Sequence, residues 1–558
     1  MSADDAPAAG TLFAPSIEQQ AVRDRGHASN VLVAAAGSGK TRVLTWLYCD
    51  AHTKDNIPLS ALLAITFTDK AAGELRHRIA VELEGHTLGR EPDLSEAWIG
   101  TFHAVCARIL REFAHRRGLD PAFGVIEELQ ALELQAEAWD EAVEDLLDEF
   151  GPEAASLVSQ VGAGALRSAI VAWWQARRSA GEVHPELPTP RTTSADVVWA
   201  ATQLVRACER FISVVEDEQS QRVNPLTSLA KHLAVTEGIV GQAERARILA
   251  AAEAVTGEDV DDLTARLEAQ TPRRGNPLPS PCDELEAMID ARAVLQRKLA
   301  ELIAAPRVTL LAQLVATFSR TYEALKRRNE LLDFDDLELE ALQLLREDDD
   351  VRLRLVDRFE RVLVDEFQDT NPRQAELVDL LAGGPMWIPV GGDGRPAVTV
   401  VGDPRQAIYG FRYADVELIG GATERLSDND NAEGDLRLST NYRSDAEVLA
   451  AIDDAFAALD DEHEPVHAFR GPDELPGGQS RVELLVTRED REESWRDIGL
   501  GARPGEVSGA ALAEARLVAT RIAELRAAEP ERSIVVLARA RATLGPIAEA
   551  LTDLEIPA

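Results

Sequence analysis

The chain has 558 residues, of which 97 are Asp or Glu and 58 are Lys or Arg, giving a formal net charge of −39. A hydrophobic share of 45% with 28% charged residues excludes a chain disordered throughout, and the length suits roughly three or four domains of ~150 residues. The acidic balance argues against a protein coated in basic charge, although net charge governs steering and solubility rather than any one groove.

The N-terminus, MSADDAPAAG, lacks a basic segment followed by an apolar run, so no signal peptide is expected. The longest apolar stretch, Val308 to Phe318, is interrupted by Gln313 and falls short of the ~20 residues of a membrane span. Cys49, Cys106, Cys208 and Cys282 show no C-x-x-C spacing. They read as reduced thiols in a cytoplasmic protein with neither a disulfide framework nor a zinc site. Lysine occurs only at positions 40, 54, 70, 231, 298 and 326, so a lysine placed by chance inside a phosphate-binding pattern is rarer than usual.

Strand and helix patterns alternate in the first 115 residues. Asn30–Ala35, Leu62–Thr66 and Trp98–Thr101 read as buried strands, each followed by a helical pattern (Arg42–Cys49, Lys70–Glu84, Val105–Phe113). This alternation predicts a parallel sheet with crossover helices. Residues 116–330 turn Ala-, Leu- and Glu-rich with helical spacing, as in Leu129–Leu147 and Leu285–Leu302, with breaks at Pro185–Thr193 and Thr271–Pro281. Strand patterns return at Arg361–Val364 and Ala397–Val401, and again at Arg481–Val486 and Ser533–Leu537 around a helix over Ser508–Ala527. The predicted fold class is α/β. A first α/β part spans 1–115, a helical insertion 116–330, a second α/β part 331–440, and the start of a second α/β domain 441–558.

Four segments carry chemistry. Ala34-Ala35-Ala36-Gly37-Ser38-Gly39-Lys40-Thr41-Arg42 places a Gly-rich turn between a strand and a helix, where backbone N–H groups cradle phosphates, Lys40 reaches the β/γ-phosphates and Thr41 ligates Mg²⁺. The usual first glycine is Ala34. Val362-Leu363-Val364-Asp365-Glu366-Phe367-Gln368-Asp369 is a strand ending in two carboxylates; Asp365 is expected to hold Mg²⁺ through water and Glu366 to polarise the attacking water. Gly402-Asp403-Pro404-Arg405-Gln406-Ala407-Ile408-Tyr409-Gly410-Phe411-Arg412 offers Gln406 as a γ-phosphate sensor and Tyr409, Phe411 and Arg412 as a base-stacking surface; the same aromatics would also suit a core behind a loop. Ser439-Thr440-Asn441-Tyr442-Arg443-Ser444 offers Arg443 as an arginine finger, though taken alone the hexapeptide suits a surface turn. Leu475-Pro476-Gly477-Gly478-Gln479-Ser480 has the look of an ABC-transporter signature, but it follows the carboxylate pair instead of preceding it and reads as a turn.

In order and spacing the set resembles superfamily 1A DNA helicases of the UvrD/Rep/RecB kind. Ser16–Val22 resembles their Q motif, with Gln19 or Gln20 facing adenine; Thr66-Phe67-Thr68-Asp69-Lys70 resembles motif Ia, Thr101-Phe102-His103 motif Ib, and Leu332–Leu337 an element just upstream of motif II. The resemblance implies that Tyr442 stacks on adenine, that Arg443 contacts the γ-phosphate, and that Phe67, Thr68, His103, Tyr409, Phe411 and Arg412 line a single-stranded DNA path. It also implies ATP and Mg²⁺ as cofactors, 3′→5′ movement on single-stranded DNA with unwinding of duplex, and work in repair or recombination. Gly-Asp-Pro-Arg-Gln in place of Gly-Asp-Asp-Asp-Gln, with the long insertion, is closer to the RecB/AddA branch, whose members work with a second helicase–nuclease subunit. The family's motifs V and VI are not found, so the sequence reads as part of a longer or split protein. A binding module for ATP and DNA without turnover is the alternative reading.

Overall fold

The structure is a computed structural model, and it describes residues 14–85, 92–193, part of 195–210, 283–384, 396–427, 436–459, 465–471, 482–485, 509–531 and 533–557. Its centre is a six-stranded parallel sheet built from β1 (Asn30–Ala34), β2 (Leu62–Thr66), β3 (Trp98–Thr101), β6 (Arg361–Val364), β7 (Ala397–Gly402) and β8 (Leu436–Leu438), in the order β3-β2-β6-β7-β1-β8. Strand residues alternate between two cores. Val31, Leu63, Ile65, Val362 and Val364 enter one, while Leu32, Leu62, Ala64, Leu363 and Val401 enter the other. A sheet covered on both faces needs apolar residues at successive positions, which is why these strands read as unbroken apolar runs.

Helices α2 (Lys40–Thr53) and α3 (Asp69–Glu84) cover one face through Val43, Leu44, Leu47, Leu75 and Ile79. On the other face lie α4 (Phe102–Glu112), α9 (Phe334–Glu347), α10 (Asp349–Arg358) and α11 (Pro372–Leu381). Between α4 and α9 the chain passes through the short helix α5 (Ala114–Arg117) and leaves for a helical domain. Two tiny strands, β4 (Gly124–Val125) and β5 (Leu331–Leu332), pair in parallel at its base, so exit and re-entry lie side by side.

Among the described residues the helical domain is built on α6 (Glu128–Val161), α7 (Ala163–Ser179) and α8 (Asp283–Arg328). Helix α6 breaks at Gly151 (φ 48°), followed by Pro152, the pairing expected to interrupt helical hydrogen bonding. Trp174 packs edge-on to both Phe318 and Tyr322, with ring centroids 5.4 and 5.5 Å away, at the centre of this domain's own core.

After α12 (Glu417–Ser427) and β8, the chain forms β9 (Thr440–Asp445), which pairs in parallel with β10 (His467–Arg470) in a separate two-stranded sheet flanked by α13 (Ala446–Ala457). Helices α14 (Gly509–Ala528) and α15 (Arg541–Asp553) pack through Ala515, Ala519, Ile522 and Ile547. The strands expected at 481–486 and 533–537 are absent among the described residues, where 482–485 and 533–538 run as irregular chain. Val535 and Leu537 are 79% and 91% exposed, and an alternating apolar pattern becomes a strand only beside a partner that completes its ladder. The loop expected at Pro185–Thr193 is observed; Thr271–Pro281, Leu475–Ser480, Cys208 and Cys282 lie outside the described residues. Cys49 and Cys106 are buried free thiols. Among the described residues no single helix is long and apolar enough to cross a membrane.

Candidate ATP and single-strand DNA site

The phosphate loop, Phe67, His103, the Asp365-Glu366 pair and the loop from Asp403 to Arg412 all follow the carboxyl ends of strands β1, β2, β3, β6 and β7, the edge where open α/β sheets bind ligands. At the end of β1 the phosphate loop turns through Gly37 (φ 70°) and Gly39 (φ 90°), both in the left-handed region. Ala34 is the last residue of β1, fully buried and in register with Leu438. A strand position needs no glycine, which accounts for the departure at the loop's first residue.

Three successive loop carbonyls are held from outside. Asn441 Nδ2 donates to Ala36 O at 2.7 Å, Tyr442 N to Gly37 O at 2.9 Å, and Gln19 Nε2 to Ser38 O at 3.1 Å. A loop whose carbonyls are satisfied on its outer side is free to offer N–H groups to phosphate on the other. Gln19, whose Oε1 accepts from Ser16 N at 3.1 Å in the capping box of α1 (Ile17–Asp24), thus braces the loop; Gln20 instead donates to Asp24 at 2.6 Å. A Cβ added at Gly37 would lie 2.8 Å from the Asn441 amide and 2.9 Å from Arg443 Cβ. Gly37→Ala is therefore expected to weaken nucleotide binding at least tenfold while the fold persists, measured by titration with a fluorescent ATP analogue.

Lys40 opens α2 and is only 9% exposed. Its Nζ lies 3.0 Å from Glu366 Oε2 and 3.4 Å from Gln406 Oε1. The three residues assigned to phosphate, water and γ-phosphate sensing therefore meet at one ammonium, where an entering phosphate would take the place of the carboxylate. Glu366 itself sits at φ 51°, a backbone state that costs a non-glycine residue ~1–3 kcal/mol and tends to cluster at functional sites. Gln368, almost fully buried, bridges the segments: its Nε2 donates to Glu366 Oε2 at 3.0 Å and Asp369 Oδ2 at 3.2 Å, while its Oε1 accepts from Asp403 N at 2.9 Å. Asp403 Oδ2 in turn accepts from Gln406 Nε2 at 2.5 Å.

Asp365 is 6% exposed, and burial, reinforced by the neighbouring Glu366 charge, pushes its carboxyl up to about 7. A buried carboxylate disfavoured in this way suits a divalent cation. A carboxyl that binds its proton more tightly in the folded state destabilises the fold increasingly as pH rises from the ordinary carboxylate range, near ~4, to about 7, and by a constant amount above that. Asp365→Asn is thus expected to raise the melting temperature by a few degrees at pH 8 and by little near pH 4.5, read by thermal melts across pH.

Beside the phosphate site, aromatics form a row. The Phe67 and Tyr409 rings are 4.7 Å apart, Tyr409 and Phe411 5.8 Å, and the Arg412 guanidinium lies 5.8 and 5.9 Å from the last two. Phe411 is 75% exposed, so this is not a core behind a loop. Phe67 follows β2 and His103 follows β3, the neighbouring strand. The Thr68 hydroxyl accepts from Ala71 N at 3.1 Å and so caps α3.

Residues 16–427 match the family described as UvrD/REP helicase N-terminal domain. The chain belongs to that family. It is also similar to an ATP-dependent helicase/nuclease subunit of Geobacillus kaustophilus (27% identity over 95% of this chain and 47% of that protein) and to its namesake in Staphylococcus aureus strain USA300 (26% identity over 77% and 38%). The chain spans about half, or less, of the length of these curated relatives.

In this UvrD/Rep-family chain Asn-Tyr-Arg-Ser is not a surface turn. It is strand β9, anchored to the phosphate loop by the Asn441 amide and the Tyr442 N–H, while Ser439 just before it donates its hydroxyl to Glu18 of α1 at 2.5 Å. Arg443 is exposed beside Gly37, the Tyr442 ring lies 4.7 Å from that of Phe469, and the Arg42 guanidinium stands 6.0 Å from the Trp46 ring. Three residues inside the segments read from the sequence were given no role there: Asn441 and Gln368, whose amides join segments distant in the chain, and Phe334. The Phe334 ring stands 4.8 Å from His103 and is 48% exposed. An apolar residue between aspartates at a helix start was the available signal, since burial would have asked for the reverse.

Proposed function

We propose that this chain is the ATP- and DNA-binding motor of an ATP-dependent helicase that moves 3′→5′ along single-stranded DNA and unwinds duplex in repair or recombination in the cytoplasm. The observation that carries the reading is continuity. Gln406, 3.4 Å from Lys40, is three residues from Tyr409 in one short loop, so nucleotide and stacked base share a single mechanical element.

In this reading Lys40 binds the β/γ-phosphates, Glu366 orients and deprotonates the attacking water, and Gln406 and Arg443 contact the γ-phosphate. Tyr442 stacks on adenine, with Gln19 on the same side of the loop. Thr41 and Asp365 would hold Mg²⁺, which supplies charge neutralisation at the phosphate oxygens. Phe67, His103, Phe334, Tyr409, Phe411 and Arg412 support successive bases, and stacking tolerates any sequence as translocation demands. Both relatives are named as one subunit of a helicase/nuclease, which supports a partner of the same kind, a second helicase–nuclease subunit.

Duplexes with a 3′ or a 5′ single-stranded tail, labelled with a fluorophore–quencher pair, test this. Unwinding of the 3′-tailed duplex with ATP supports the proposal, whereas preference for the 5′ tail contradicts its polarity. Tight ATP and DNA binding without turnover would favour the alternative, a non-hydrolysing module of a larger complex.

A further inference from the structure

The segment Asp333-Phe334-Asp335-Asp336 divides its side chains sharply. Asp333 and Asp336 form a reciprocal capping box at the start of α9, with backbone-to-carboxylate bonds of 2.9 and 2.8 Å. Both carboxylates also reach the helical domain. Asp336 pairs with Arg178 of α7 and, at 2.6 Å, with Lys326 of α8. Asp333 Oδ2 accepts from Lys326 at 3.0 Å and from the Tyr322 hydroxyl at 3.2 Å. Asp335 pairs with Arg373 of α11 at 2.8 Å. Phe334 alone turns outward, onto His103.

The contacts close a ring. Arg373 donates to the Arg178 carbonyl at 3.1 Å and pairs with Glu338 at 3.0 Å, and Glu338 lies 3.3 Å from His103 Nε2. Arg178 and Lys326 are 2% and 1% exposed. Burying such cations carries a desolvation penalty, and apolar side chains of similar volume often join two surfaces as firmly. What a cluster of directed charges adds is one fixed geometry, and the group it fixes is the helix start that carries Phe334.

We infer that Arg178 and Lys326 are positioning residues by which the helical domain holds Phe334, and with it His103, in the single-strand path. The inference rests on the reading of that path as DNA-binding. It makes the helical domain a part of the DNA site through residues that never touch DNA.

A mutant cycle tests it, with the affinity of the chain for a fluorescein-labelled single strand measured by anisotropy. Phe334→Ala is expected to weaken binding roughly five- to a hundred-fold, as loss of one stacked base would. Arg178→Met should weaken it comparably, leave ATP-analogue binding without DNA unchanged, and add nothing in the Phe334→Ala background. Losses that multiply in the double variant, or unaltered DNA binding by Arg178→Met, overturn the inference. Should Arg178→Met fail to give a cooperative thermal melt, the pair Lys326→Met with Asp336→Asn, which removes one charge of each sign, takes its place in the same cycle under the same criteria. If Phe334→Ala has no effect while Tyr409→Ala weakens binding, the inference fails and the DNA path stands; if neither has an effect, the DNA path itself fails.

Discussion

Lys40→Ala is expected to abolish ATP turnover and to weaken nucleotide binding by ~100-fold or more. The ammonium is the positive charge that meets both Glu366 and Gln406. Removing it takes away the counter-charge that stands between the Glu366 carboxylate and the bound triphosphate, leaving their mutual repulsion less compensated. Electrostatic groups aimed at developing phosphate charge are worth ~3–4 kcal/mol each in a sheltered site. The fold should survive, because the Glu366 side chain is 37% exposed and water can solvate its carboxylate once the lysine is gone. Loss of binding in isothermal titration with an unchanged thermal melt is the expected pair of results. Retained turnover would show that this lysine is not part of the machinery.

Tyr409→Ala is expected to lower single-strand affinity by roughly ten- to a hundred-fold without altering ATP-analogue binding in the absence of DNA. Tyr409 is the middle ring, with Phe67 on one side and Phe411 on the other. Stacking contributes ~1–3 kcal/mol per base, and here one deletion leaves both neighbours without lateral support. The variant should also lose DNA stimulation of hydrolysis, because Tyr409 shares its loop with Gln406. Anisotropy titrations at several salt concentrations separate the two contributions to affinity: the variant should shift the curves by a constant factor, while the salt slope, set by phosphate contacts, stays the same.

The parts of the site legible in the sequence are those whose chemistry requires neighbours in the chain. A phosphate loop needs its glycines, lysine and threonine in succession at the start of a helix, and Asp365-Glu366 follows directly on a strand. Strands Leu62–Thr66 and Arg361–Val364 were readable to the residue because both faces of the sheet are covered. The rest depends on groups brought together from far apart. Asn441 becomes informative only once β9 lies on the loop, and nothing near Arg178 in the chain points to Asp336, 158 residues away. Strand β9 is polar throughout and carries no periodic signal, since its pairing with β10 and its anchorage to the loop hold it extended. Conversely, Ser533–Leu537 has a strand's pattern but no partner strand among the described residues.

The central claim is that nucleotide and single strand act on one element, the loop from Asp403 to Arg412. The most direct measurement is the steady-state rate of ATP hydrolysis by this chain with and without saturating single-stranded DNA, with Lys40→Ala and Tyr409→Ala alongside. A rise of ~10-fold or more on adding DNA, absent in both variants, is the predicted result. Hydrolysis indifferent to DNA, or stimulation undiminished by Tyr409→Ala, would contradict it.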